Sequence, residues 1–128
     1  ILVPPWNRIC ADAVVHLPKL GFSGISTFGA AHEADGIADL VQLNTHLDII
    51  DWKGSRGGRD PGWLAGELAK LLLKSREDGA PPIGVLAHHL VHDEVAWSFL
   101  EQLFKLTGQH PAVEWCEADA LVGEHQAG

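Results

Sequence analysis

His88, His89, His92, Asp93 and Glu94 crowd the end of one short stretch, Ile83–Glu94 (IGVLAHHLVHDE). Imidazoles can hold and release a proton near neutral pH, and carboxylates beside them can orient or charge the rings. Such a cluster suits proton transfer to or from a reacting bond. Two other stretches repeat the design of an apolar run that opens into polar or aromatic groups. They are Ile1–Arg8 (ILVPPWNR) and Val41–Lys53 (VQLNTHLDIIDWK). Three such ends point to one shared site at one face of a parallel sheet, the usual place for chemistry in α/β enzymes.

The elements that must position these groups follow from local pattern. Ile1–Val3 reads as the end of a buried strand, stopped by Pro4-Pro5. Asp12 is a candidate N-cap for a helix to about Leu20, ended by Gly21, and Phe22–Phe28 suits a second strand. Ala30–Asp39 reads as a loop, and Leu40–Leu43 as a third strand running into Asn44-Thr45-His46. Lys53–Asp60 is a Gly-rich segment expected to be mobile. Its glycines lack the GxxxxGK[ST] spacing of a phosphate-binding loop. Asp60 then caps a helix with Pro61 at its first position, and Leu64, Leu68, Leu71 and Leu72 form its apolar stripe. Ile83–Ala87 is a fourth strand. Asp93 caps a helix to about Leu106, with Val95, Phe99, Leu103 and Leu106 facing inward. Ala112–Cys116 reads as a fifth strand and Ala118–Leu121 as a last turn of helix. This alternation implies an α/β fold with parallel strands, open or closed into a barrel.

Composition narrows the partners. The chain has 128 residues, enough for one domain at most. Its net charge of −8, with nine scattered Lys and Arg, argues against a nucleic-acid surface. No apolar run approaches the ~20 residues of a membrane span. Cys10 and Cys116 form neither a disulfide framework nor a metal motif, and each reads as a small buried hydrophobe. The chain opens inside a strand and lacks Met altogether, so it is expected to be the C-terminal portion of a single catalytic domain whose N-terminal portion precedes Ile1.

Taken together, the strand-end motifs resemble the polysaccharide deacetylase family (carbohydrate esterase family 4). Val3-Pro4-Pro5-Trp6 looks like its third motif, usually an Arg-Pro-Pro-Tyr type. Asp48-Ile49-Ile50-Asp51-Trp52 resembles the fourth, Asp-x-x-Asp-Trp, and Val85-Leu86-Ala87-His88 the fifth. The resemblance implies a distorted (β/α) barrel that removes acetyl groups from a carbohydrate with a divalent metal, usually zinc. It implies His88 as the acid that protonates the leaving group, and Asp51 or Asp48 as the carboxylate that orients and charges it. The Trp6 N–H would help stabilise the oxyanion, and Trp6 and Trp52 would line the acetyl pocket or stack on the sugar. Pro5, Asn7, Arg8, His46 and His89 are further candidates for substrate contact.

The chain also departs from the family. Val3 stands where an Arg usually tethers the catalytic base, and Arg8 substitutes only if the loop folds back. The family's metal ligands and base belong to its first two motifs, an Asp-Asp pair and a His-x-x-x-His, which would lie upstream of Ile1. The fragment is therefore expected to be inactive alone.

Plainer readings stand beside these. His88 could be a satisfied buried His, Asp48 and Asp51 could cap a turn, and both tryptophans could be core. A non-catalytic carbohydrate-binding relative is the first alternative. An enzyme that binds metal through His88, His89 and His92 is the second.

Overall fold

Short apolar runs separated by long connections pair in parallel in this chain. The computed structural model describes residues 1–30 and 32–127, the last four as backbone. In chain order the elements are α1 (Ala11–Val14), β1 (Gly24–Ile25), β2 (Val41–Gln42), β3 (Leu47–Asp48), α2 (Pro61–Glu77), β4 (Val85–Leu86), α3 (Glu94–Thr107) and α4 (Ala118–Ala127). Short 3-10 turns cover Pro5–Asn7, Pro18–Leu20 and His89–Val91. The chain divides into two units, one of Ile1–His46 with Cys116–Gly128 and one of Leu47–Trp115.

In the first unit, β1 pairs in parallel with β2, with Gly24 opposite Val41. Leu2 bridges Ile25 on the other side of β1, also in parallel. The ladder outruns the named strands, since Leu43 N–H donates to Ile25 O and Thr45 N–H to Thr27 O, both at 2.9 Å. Val14, Leu17, Ile25, Ala34 and Leu40 form its buried core. A Cβ on Gly24 would meet Ile1, the Val41 carbonyl and Val122 of α4 at 3.2–3.4 Å, so a larger residue would fit only if these neighbours moved by a few tenths of an ångström. The expected helix from Asp12 to Leu20 is a single turn, α1, with Cys10 rather than Asp12 at the N-cap position and no side-chain capping bond, followed by the 3-10 turn. Pro18 explains the break, because it brings no N–H and its ring collides with the preceding turn. The Ala30–Asp39 segment, with Ala31 outside the described residues, is made of turns.

The second unit is a β3–α2–β4 crossover followed by α3. β3 and β4 are parallel, with Leu47 opposite Val85 and Asp48 opposite Leu86. The expected strand at Leu40–Leu43 is thus followed by a separate strand, β3, three residues beyond Asn44. Asp60 caps α2 by accepting the Trp63 N–H at 2.8 Å, with Pro61 at the first helical position. Leu64 is fully buried and Leu68 and Leu71 pack beside it, whereas Leu72 is half exposed. On α3, Ala96, Phe99 and Leu103 are buried, but Val95 and Leu106 are exposed, so the stripe is narrower than the spacing predicts. These side chains meet Leu47, Ile49 and Ile50 in one cluster.

Three expectations are corrected. Ala112–Cys116 is not a strand: the Trp115 indole donates to Thr107 Oγ1 at 3.0 Å and packs on Phe104, which ties the segment to α3. Cys10 and Cys116 are exposed free thiols rather than buried hydrophobes. The Gly-rich segment is pinned, since Asp51 N–H donates to Gly57 O at 2.9 Å and Arg59 N–H to Ile49 O at 2.8 Å. No helix among the described residues is long and apolar enough to cross a membrane.

Because Leu64 has no exposed surface while Leu73 is 62% exposed, the two positions should separate sharply under truncation. Leu64→Ala should lose about 2–5 kcal/mol in urea denaturation, and Leu73→Ala about 0.5 kcal/mol or less. Equal losses would place the core elsewhere.

Candidate functional site

Parallel register brings the principal groups together. Asp48 ends β3 opposite Leu86 of β4, and His88 follows two residues further along β4's path. His88 Nε2 lies 3.2 Å from Asp48 Oδ1. This is ion-pair distance, although the approach is off the direction of a hydrogen bond and Nε2 is buried without one. The Asp48 carboxylate is itself held: Oδ1 accepts the Ile50 N–H and Oδ2 accepts the Trp52 indole N–H, both at 2.9 Å. The first of these is the Asx turn that Asp favours. Asp48 therefore shapes its own turn and faces the imidazole as well.

Trp52 closes this pair on a second side. Its ring meets the His88 ring edge to face, with centroids 4.8 Å apart, and it remains 45% exposed. An aromatic that is part contact and part surface can cover His88 and still present a face to a ligand.

Asp51 serves the adjoining loop. It accepts the Gly54 N–H at 3.1 Å and lies 3.9 Å from Arg59 Nη1. Arg59 in turn donates from Nε to the Asp48 carbonyl at 3.2 Å and stacks over Trp63. Of the two aspartates, Asp48 is the one against His88.

Asp93 ties the Gly-rich segment to α3. Its Oδ1 accepts the Ala96 N–H at 2.9 Å, capping α3, and the Gly58 N–H at 3.0 Å. A Cβ at Gly57 would fall on this carboxylate and one at Gly58 on the first turn of α3, so the two glycines permit the approach. The same N–H bonds stabilise the charged carboxylate and hold its pKa below the ordinary 3.8. His89 and Glu94 are exposed.

Pro5, Trp6, Asn7, Arg8 and His46 lie in the other unit. Trp6 is 89% exposed, and both Trp6 (φ 51°) and Asn7 (φ 54°) are left-handed. Two consecutive left-handed residues without glycine store strain. The Arg8 N–H closes that turn on Pro5 O at 3.2 Å, and its side chain is exposed. His46 is half buried, and burial pushes its imidazole below the usual value, toward the neutral form.

The same unit holds a polar cluster that the sequence reading did not single out. Gln42 donates from Nε2 to Asn44 Oδ1 (2.6 Å), Glu33 Oε2 (3.1 Å) and Thr27 Oγ1 (3.3 Å). Its Oε1 accepts the Ala34 N–H, while Asn44 Nδ2 donates to Gly29 O. The alternation Val41-Gln42-Leu43-Asn44 was the available signal, since residues two apart share a strand face.

Among the described residues no three His, Cys, Asp or Glu groups converge to hold a metal ion. The His88 ring is turned toward Asp48 and the His92 ring toward the backbone N–H of His88, rather than toward a common point. The described residues thus do not form a zinc cage. No protein-family model matches the chain, and no curated protein or solved structure matches it.

The Asp93 bonds set an acid limit on this region. A carboxyl whose folded pKa is depressed stabilises the fold above its unfolded value, and loses that contribution as pH falls through the lowered folded value. Wild-type melting temperature should therefore fall as pH drops below 3.8. Asp93→Asn still caps α3 but cannot titrate, so its acid decline should be shallower. Superimposable pH profiles would remove Asp93 from this role.

Proposed function

We propose that the chain is the His-bearing part of a deacetylase-like hydrolase that acts on an acetylated carbohydrate. The observation that carries this reading is the Asp48–His88 pair at the ends of two adjacent parallel strands. A carboxylate beside one imidazole nitrogen orients the ring, the arrangement by which enzymes prepare a histidine for proton transfer. His88 gives its proton to the leaving amine or alcohol as the C–N or C–O bond of the acetyl group breaks. Asp48 holds the ring for that transfer, and Trp52 shields it from bulk water.

The motif resemblance supplies the substrate class and the expected barrel. Both short parallel pairs are consistent with that architecture. The exposed Trp6 and Trp52 offer faces on which a pyranose ring can stack. In the resembled family a divalent metal polarises the acetyl carbonyl and activates water. The described residues do not hold such an ion, so the role derived for them is proton transfer, orientation and sugar contact.

Val3, which stands where the resembled family usually has an Arg that tethers the catalytic base, favours one second reading, a carbohydrate-binding relative that does no chemistry. One experiment separates the two. In the full-length protein, His88→Ala should lower deacetylation of an N-acetylglucosamine oligomer or acetylated xylan by on the order of 10²–10⁴-fold. Zinc content and fold should stay unchanged. Loss of zinc in that variant would make His88 a ligand. Oligomer binding without turnover in the wild type would establish the binding relative.

A further inference from the structure

The backbone of His88 is held at both of its polar groups. Its carbonyl accepts the Val91 N–H at 2.9 Å, and its N–H donates to Nε2 of the His92 side chain at 3.0 Å. Between these bonds His88 adopts φ −134° and ψ 71°, outside both the helical and the extended wells. The turn His89–Val91 is thereby closed on itself by the imidazole of the residue that follows it.

His92 is in turn tied to the rigid part of its unit. The next residue, Asp93, is fixed to Gly58 and to the first turn of α3. Trp97, one turn into α3, packs edge to face on the His92 ring with centroids 4.5 Å apart. A neutral histidine that accepts at Nε2 carries its proton on Nδ1. That Nδ1 is buried without a hydrogen-bond partner among the described residues. An unpaired buried donor costs stability. Asp93 already caps α3, so the helix does not require the ring.

We infer that His92 is the positioning residue of the candidate site: it fixes the main chain of His88 and so aims the His88 imidazole at Asp48. This rests on the hydrolytic reading of His88. The path runs from the N-terminus of α3 through Asp93 and His92 to the His88 amide, and from the ring of His88 to the carboxylate that ends β3. A side chain that holds the His88 amide can tune the aim of the His88 ring without touching substrate itself.

The test combines nuclear magnetic resonance with turnover in the full-length protein. Wild type should show a scalar coupling between the His88 amide nitrogen and His92 Nε2, with His92 in the Nδ1–H tautomer. His92→Leu should lose that coupling and move the His88 ring and Trp52 indole signals, with the rest of the spectrum unchanged. His92→Gln, whose Oε1 can accept the same N–H, should restore those signals to near their wild-type positions. On an N-acetylglucosamine oligomer, kcat of His92→Leu should fall on the order of 10- to 100-fold with KM unchanged, and His92→Gln should recover most of it.

A wild type without the coupling overturns the inference. So does a His92→Leu variant whose His88 and Trp52 signals stay in place, or whose kcat stays at the wild-type value. If the wild type shows no turnover, the ring signals alone decide: their movement in His92→Leu and return in His92→Gln uphold the positioning role, while the hydrolytic reading falls separately.

Discussion

The register of one parallel strand pair governs the chemistry of its unit. With Asp48 opposite Leu86, the chain beyond β4 reaches its first imidazole beside the carboxylate that terminates β3. A slip of one residue would turn every side chain of the strand to the other face and part the two groups. The register is protected by burial. Leu47, Ile49 and Ile50 all point into the cluster formed with Leu64, Phe99 and Leu103. Packing that looks purely structural is what keeps Asp48 and His88 within 3.2 Å.

A second constraint acts through Asp93. One carboxylate oxygen satisfies a helix N-terminus and the tip of the Gly-rich segment together. The segment is also laddered to Ile49–Asp51, which includes the turn that presents Trp52. Loop, helix and strand end thus share a single anchor. The anchor depends on two glycines, because a side chain at either would occupy the space of Asp93 or of the α3 backbone.

What could be read from sequence was whatever depends on neighbours in the chain. Asp60-Pro61 announces the start of α2, and Asp93 the start of α3, because capping is local chemistry. Gly21 ends its turn for the same reason, with φ 86°. The distinction between Asp48 and Asp51 was not legible, since both fit Asp-x-x-Asp-Trp and only pairing across strands selects Asp48. β3 was hidden behind the polar run Asn44-Thr45-His46, into which the expected third strand leads. Val113 and Trp115 alternate like a strand, yet Trp115 finds its partners on α3. The role of His92 depends on the closure of a single turn, which no spacing rule encodes.

The division of the chain also bears on the order in which it can be assembled. The β3–α2–β4–α3 unit is one continuous segment, Leu47–Trp115, whose strands are joined through a single helix. Its contacts are available as soon as that segment has left the ribosome. The other unit is discontinuous. Gly24 awaits Val122, which is synthesised nearly a hundred residues later. Until α4 emerges, the nascent strands Leu2, β1 and β2 lack the side chain that covers them at Gly24. The pair that carries His88 can therefore be complete while the unit bearing Trp6 is still unfinished.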